Sequence, residues 1–251
     1  MDSTELARLT ADSIQTLGMS FYFDPITSEN AKTHGLNVFE FYGLGRGGTL
    51  GDVDVEVIDR AFTFFHPRVY DFLWTGAKQK ADPVEIAAAY VEAAYAFADR
   101  TFGAVSAQVL EGFARAATKV VAAVPSDRHL LVDGYKKFTV PTNPVHAAYL
   151  GTILLRELRG GVHIEAVNET GLSALEACYL QDATVFSMHG YQDDEAPDVT
   201  PEIEAKKVEA EELTDSKMAA CFDVLSDDER EALATGARLM FEALASPVPV
   251  G

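Results

Sequence analysis

The sequence predicts an all-α fold, a single multi-helix domain of about ten helices with a central helical hairpin. Two observations support this. A capping residue followed directly by proline opens several segments, as at Asp82-Pro83, Asn143-Pro144 and Thr200-Pro201. Apolar residues with helical spacing, rich in alanine, follow these openings. Strand patterns are scarce, and the one candidate for a short extended segment is LLVDGYKKFTVPTN.

Six segments carry the clearest helix signals. They are DPVEIAAAYVEAAYAFADRTFG, VSAQVLEGFARAATKVVAAVP, TNPVHAAYLGTILLRELRGG, GLSALEACYL, TPEIEAKKVEAEELTDSKMAACFDVL and SDDEREALATGARLMFEAL. The first two end at Gly103 and Pro125, and they predict a hairpin over residues 83–124. We expect this hairpin to pack on the helices that follow Pro144. The last segment begins with Ser226 and Glu229 in capping-box spacing.

Composition limits the class of protein. The 251 residues are 48% hydrophobic and 24% charged, which is ordinary for a globular chain, and the net charge is −19. Such a field repels phosphate backbones, so we expect no nucleic-acid partner. Two cysteines fit a reducing cytoplasm. The opening MDSTELARLTADSIQTLG does not resemble a signal peptide, and no apolar run reaches the ~18 residues of a membrane span, so we expect a cytoplasmic protein without a membrane partner.

The chain divides by composition into two parts of one domain. Residues 1–190 are predicted to form a helical, pocket-forming part. Residues 191–251 are predicted to be an acidic loop and two helices packed on it. Twelve of the 25 aromatic residues fall between residues 21 and 74. They predict either an aromatic-walled pocket or the bulky core of short helices with glycine-rich joints.

The stretch LLRELRGGVHIEA, residues 154–166, is the first candidate site. On a continuous helix Arg156, Arg159 and His163 lie along one stripe. Guanidinium groups bind carboxylate or phosphate through paired hydrogen bonds, and a helix break at Gly160–Gly161 would expose amides that favour an anion. Glu157 shares a different face, where it could pair with Arg46. The alternative is a surface network of little energetic value.

The stretch EFYGLGRGGTLG is the second candidate. Glycines surround Arg46, so the backbone there can approach a ligand closely, and Tyr42 lies one helical turn before it. His66 follows three phenylalanines. It is either a satisfied core histidine or a base, metal ligand or haem ligand in a cavity. His146 lies in the first turn of its helix, where it could face the same cavity as Glu157. We expect Arg46, His66, Arg156 and His163 to converge on one pocket.

The chain resembles a family, mostly actinobacterial and largely uncharacterised, whose members are catalogued as helix-turn-helix proteins. The matching motifs are YFDP (Tyr22–Pro25), YGLGRGGTLG (Tyr42–Gly51), FHP (Phe65–Pro67) and HAAYLGTILLRELRGGVH (His146–His163). The resemblance spans about residues 5–180 and resumes in the last helices. It implies a functional role for the arginines and histidines of these motifs, but it supplies no reaction.

Two departures from the family pattern affect the functional expectation. Members often carry a histidine shortly before the tyrosine-phenylalanine pair, where this chain has LGMSFYF. The segment after GLSALEACYL, a winged helix in the family, is here only QDATVFSMHGYQDDEAPDV. Because this segment is short and acidic, DNA binding is not expected to carry over from the family.

Two functions remain open from the sequence. One is an enzyme of unknown reaction, acting on a small anionic or aromatic molecule, with haem or a metal as an open cofactor on His66 or His163. The other is a non-catalytic ligand sensor or regulator related to winged-helix proteins. Both need a small-molecule ligand, and a homodimer is compatible with both. The ligand-binding candidates are Tyr42, Arg46, His66, His146, Arg156, Glu157, Arg159 and His163.

Overall fold

The computed structural model describes residues 1–246, and within this range it contains twelve α-helices and no β-strand. The predicted all-α single domain is confirmed, with slightly more helices than expected. The helices are α1 Ser3–Met19, α2 Pro25–Thr33, α3 Val38–Gly47, α4 Val55–Phe62, α5 Pro83–Phe102, α6 Ala107–Ala123, α7 Leu130–Tyr135, α8 Pro144–Thr170, α9 Ala174–Gln181, α10 Ala183–Met188, α11 Pro201–Phe222 and α12 Asp227–Ala245.

Helix α8 is the central element of the molecule. It runs unbroken for 27 residues, about 40 Å, from the Asn143 cap to Gly171, which ends it with a left-handed backbone. The expected helix break at Gly160–Gly161 is therefore wrong. A Cβ at Gly161 would lie 2.5 Å from Nδ1 of His129, so this glycine gives the His129 ring room to pack against the helix.

The two helices of the predicted hairpin, α5 and α6, both pack against α8. They make few contacts with each other, because α5 lies against α3 and α6 lies against α12, so the two helices do not form the expected packed hairpin. The stretch LLVDGYKKFTVPTN contains α7 instead of an extended segment.

The aromatic N-terminal region is built from short elements. Helices α2 to α4 are followed by 3-10 turns and a π-helical turn over Asp71–Gly76. Phe21, Phe41 and Trp74 are almost fully buried, so part of the aromatic excess fills the core, as one of the two sequence interpretations holds. Other aromatic residues line a cavity, which is described below.

The last two helices join the same core. Helix α11 packs along α8 and α1, and α12 packs on α6 and α1. Met218, Phe222 and Leu233 belong to the main apolar cluster together with residues of α1 and α8. The predicted part 191–251 ends in residues 247–251, which lie outside the described range, and its boundary stays a prediction. None of the helices over residues 1–246 combines the length and apolarity that a membrane crossing requires.

Candidate functional site

A large cavity of about 790 Å³ runs beside α8. Its volume lies in the range of small-molecule sites. Its walls come from α1, α3, α4, α7, α8, α9, α10 and α11 and from the loop after α4. Arg156, Glu157 and Gly160 of α8 face it, and so do Tyr22, Phe62, Phe64 and Phe65 from the aromatic region.

The inner end of the cavity holds a charged group that we call the inner cluster: Tyr42, Arg46, Arg156 and Glu157. Glu157 accepts hydrogen bonds from Nε and Nη2 of Arg46, at 3.0 and 2.7 Å, and from Nη1 of Arg156, at 3.0 Å. Arg46 Nη1 also donates to the Tyr42 hydroxyl. The pairing of Glu157 with Arg46, which the sequence allowed, is present.

The inner cluster is deeply buried. The side chains of Glu157, Arg46 and Arg156 are only 2%, 7% and 15% exposed. Burial alone would raise the pKa of Glu157, but the guanidinium groups of Arg46 and Arg156 hold it below its ordinary value. Glu157 is therefore ionised at neutral pH. Two guanidinium groups share one carboxylate, so the cluster has an excess of one positive charge.

Local packing fixes the position of Arg156. Its aliphatic stem lies on Gly18 of α1, where an added Cβ would be 2.7 Å from Cβ of Arg156. Its guanidinium carbon lies 5.5 Å from the centroid of the Tyr22 ring. Arg156 Nε is buried and has no hydrogen-bond partner in the described part of the chain. A side chain that lines the cavity thus keeps one buried donor without an acceptor in residues 1–246.

The outer end of the cavity carries a second group, which we call the outer cluster: Arg128, Arg159, Glu165, Glu211 and Asp215. Arg128 donates two hydrogen bonds to Glu165, at 3.0 and 2.9 Å. Arg159 lies 3.6 Å from carboxylate oxygens of both Glu211 and Asp215. Each guanidinium group of the outer cluster thus has its own carboxylate.

Six of the eight predicted site residues line this cavity: Tyr42, Arg46, Arg156, Glu157, Arg159 and His163. The stripe of Arg156, Arg159 and His163 along α8 survives because the helix is continuous. His163 contacts Thr214 of α11 at 3.0 Å, and burial lowers the pKa of its imidazole.

His66 and His146 are not among the described residues that line the cavity, so the predicted convergence is wrong for His66. Its Nδ1 accepts from the backbone amide of Arg68, and its ring lies 3.3 Å from Glu195 at the surface. His146 is stacked on Tyr95 and is 2.9 Å from Asp99, which holds it away from Glu157.

Two histidines that the sequence analysis did not single out line the cavity. His129 and His189 fall outside the long helices, where side chains are usually solvated, yet both rings are largely covered. His189 lies 4.4 Å from the Phe65 ring, and His129 packs on Gly161. Burial lowers the pKa of both imidazoles. For His129, the sequence signal was the Gly160–Gly161 pair, since Gly161 allows the His129 ring to approach α8 closely.

A metal site was left open by the sequence. Over residues 1–246, no three His, Cys, Asp or Glu side chains lie close enough together to hold a metal ion.

Tyr22, which belongs to the YFDP motif but was not a predicted site residue, contributes the aromatic face under Arg156.

Helices α9 and α10 form a further wall of the cavity. Ala177, Cys178 and Gln181 of α9 and Val185 and Met188 of α10 line it. A single residue, Asp182, separates the two helices, and its carboxylate caps α10. The short segment after GLSALEACYL therefore contributes one helix, α10, which pairs with α9 of the GLSALEACYL stretch itself.

Comparison with protein families gives a match to a family described as a helix-turn-helix family, over residues 7–197. Comparisons with curated proteins and with solved structures give no match. The helix-turn-helix is a DNA-binding element, so this match overturns the expectation of no nucleic-acid partner. That expectation rested on total charge, which averages over the whole surface, and on a short segment that still forms the helix α10 next to α9. The match covers about three quarters of the chain and all four motifs: the protein belongs to the helix-turn-helix family.

Proposed function

We propose that this protein is a ligand-responsive regulator whose cavity binds a small anionic or aromatic molecule. The observation that carries the proposal is that one cavity is lined both by the inner cluster and by α9 and α10. A molecule bound there would touch the arginines and the helix pair at once. Family membership supports the DNA-binding side of the proposal.

Few hydrogen bonds hold the helix pair on the rest of the molecule, beside a small apolar cluster in which Ala177 and Leu180 of α9 pack on Val167, Leu172 and Ala210. The backbone amide of His66 donates to the carbonyl of His189 at 2.8 Å, and the Cys178 thiol lies 3.4 Å from the carbonyl of Phe64. Lys207 of α11 donates to the carbonyl of Leu180. Elements with few attachments open at low free-energy cost, so occupancy of the cavity can shift the position of the pair.

Thiol labelling tests this mechanism directly. Cys178 lines the cavity from α9 but is only 3% exposed, so a thiol reagent gains access when α9 moves, and burial raises the pKa of its thiol to about 12. The other cysteine, Cys221, is removed by a Cys221→Ser change. We expect Cys178 to react slowly, and more slowly still when a bound anion holds the cavity closed. A ligand that binds at saturation without changing the labelling rate contradicts the mechanism.

DNA binding is tested by selection from a random-sequence duplex library, with and without ligand. We expect retained duplexes whose affinity changes when the cavity is filled. The sequence has no Lys or Arg between Arg159 and Lys206. Contacts from α9 and α10 would therefore use backbone amides and hydroxyl groups, and the salt dependence should be shallow. Failure to retain any duplex contradicts the DNA-binding part of the proposal.

A homodimer stays a prediction. Many helix-turn-helix proteins bind two half-sites as symmetric dimers, so the oligomeric state matters for the proposed regulator. Sedimentation of the purified protein with and without duplex DNA measures it. A strict monomer in both conditions contradicts the homodimer alone.

A further inference from the structure

The hydrogen-bond pattern of the inner cluster leaves one edge of a guanidinium group without a carboxylate partner. Arg46 presents the edge formed by Nε and Nη2 to Glu157, in the two-point geometry typical of guanidinium and carboxylate. Arg156 contacts Glu157 only through Nη1. Its own edge of Nε and Nη2 makes no hydrogen bond within residues 1–246, and its Nε is buried without a partner.

We propose that the ligand of the cavity is an aromatic monocarboxylate, whose carboxylate binds Nη2 of Arg156 and, after a small movement of this side chain, its buried Nε. This inference rests on the proposed function and names the chemical class of its ligand. In the bound state Arg156 would hold the ligand as Arg46 holds Glu157. The two guanidinium groups would then have two carboxylates, one from the protein and one from the ligand.

Charge selects a monoanion. The inner cluster has an excess of one positive charge in a buried setting, so one negative charge neutralises it. A second negative charge would find no free cation in the inner cluster and would lie near Glu157. At the outer cluster, Arg128 and Arg159 already have carboxylate partners. The two other cations of the cavity wall, Arg60 and Lys207, lie outside the inner cluster, and Lys207 donates to the carbonyl of Leu180. A dianion whose charges both lie at Arg156, such as a phosphate monoester, should therefore bind less tightly than a monoanion.

The walls select a flat apolar body. Tyr22 lies under the guanidinium of Arg156, and its ring packs edge-to-face on Tyr42, with centroids 5.1 Å apart. Phe62 and Phe65 continue the wall from the loop side, with ring centroids 5.8 Å apart. Aromatic faces favour stacked or edge contacts with another ring. The cavity of about 790 Å³ has room for fused rings beyond a single benzene ring.

The experiment compares three probes of equal ring size by titration calorimetry: naphthoate, the neutral naphthamide and the dianionic naphthyl phosphate. We expect naphthoate to bind at least about tenfold more tightly than either of the others. Equal binding of naphthamide and naphthoate would overturn the inference, because ring burial alone would then explain the affinity. Tighter binding of naphthyl phosphate would also overturn it.

Two substitutions of Arg156 locate the carboxylate. Arg156→Lys keeps the charge and loses the planar edge, and we expect about tenfold weaker naphthoate binding. Arg156→Met keeps most of the stem on Gly18 and should remove the preference for naphthoate over naphthamide. Arg115→Met, at an exposed arginine of α6 outside the cavity wall, is the control and should leave the preference intact. Loss of the preference in Arg159→Met, with the preference kept in Arg156→Met, would overturn the assignment to Arg156.

If a variant of Arg156 does not fold, the inference is still tested, because naphthoate and naphthamide are compared on the unmodified protein. Failure of this inference is distinct from failure of the proposed function. Binding of aromatic molecules without charge preference, together with slower Cys178 labelling, would contradict the ligand class and leave the regulator proposal standing. Absence of binding by all three probes would overturn the ligand class.

Discussion

The inner and outer clusters each contain an arginine of α8, but the two arginines have different carboxylate partners. Arg156 and Arg159 lie three residues apart on α8, and both face the cavity. Arg156 shares one buried carboxylate with Arg46, whereas Arg159 has two carboxylates at 3.6 Å, one of them 48% exposed. The number of partners and their burial, and not the presence of arginine, distinguish a candidate binding group from a surface ion pair.

The largest expected effect comes from removing the shared carboxylate. Glu157→Gln leaves two buried guanidinium groups without a counter-charge, and we expect a loss of about 3–5 kcal/mol in the free energy of unfolding. Urea denaturation followed by circular dichroism measures it. The matched change in the outer cluster, Glu211→Gln, should cost less than about 1 kcal/mol. Equal losses in the two variants would remove the distinction between the clusters.

Acid should weaken the inner cluster through the same carboxylate. The pKa of Glu157 is lower in the folded protein than in the unfolded chain, so its contribution is present above the unfolded value, about 4.3, and is lost as the pH falls through the folded value. Glu165 of the outer cluster also has a lowered pKa, because Arg128 donates to it. We expect unfolding measured below about pH 4 to show a smaller pH dependence in Glu157→Gln than in the parent.

One outcome would contradict this prediction of the acid response. If Glu157→Gln and the parent lose stability with the same slope between about pH 4 and pH 2, then Glu157 is not the group that titrates. The outer cluster and the other surface carboxylates would then account for the acid response.

The glycine pair between the clusters gives an effect of intermediate size. A methyl group at Gly161 would collide with the His129 ring, 2.5 Å away, so Gly161→Ala should cost about 1–3 kcal/mol. Nothing lies within 4 Å of a Cβ at Gly160, so Gly160→Ala should stabilise the helix by up to about 1 kcal/mol. Thermal unfolding of the two variants should shift in opposite directions. A gain in both variants would mean that His129 moves freely away from α8.

The smallest effects are expected from removing one arginine at a time. Arg156→Met leaves the Arg46–Glu157 pair neutral and complete, so we expect a stability change below about 1 kcal/mol. Arg159→Met removes a partly exposed ion pair, and we expect a change below about 0.5 kcal/mol. Urea denaturation of both variants measures this. A loss from Arg156→Met as large as that from Glu157→Gln would show that Arg156 is needed for folding and would weaken its role as a ligand group.

Local signals accounted for much of the fold. Caps and prolines at Asp82, Asn143 and Thr200 open α5, α8 and α11 in the structure. The failures concern tertiary context. The continuity of α8 through Gly160–Gly161 depends on helices packed along both sides, and local propensity does not contain that information.

The site was predictable where one motif placed residues on one face. Arg156, Arg159 and His163 follow from helical spacing, and Glu157 paired with Arg46 across 111 residues as the sequence allowed. His66 and His146 failed because each has a polar partner elsewhere, Glu195 and Asp99 respectively. Such partners are distant in sequence, so no local pattern indicates them.

The distance between partners along the chain also has a consequence for synthesis and folding. Arg46 meets Glu157 111 residues later, and the Tyr149 hydroxyl of α8 donates to the carbonyl of Leu17, 132 residues earlier. Contacts of such separation form slowly, because a long loop must close before they stabilise anything. During translation, α1 to α7 emerge before the helix that covers their apolar faces. A nascent chain ending before α8 leaves Arg46 without its carboxylate, so the N-terminal part of the protein should depend on chaperones until Glu157 has emerged from the ribosome.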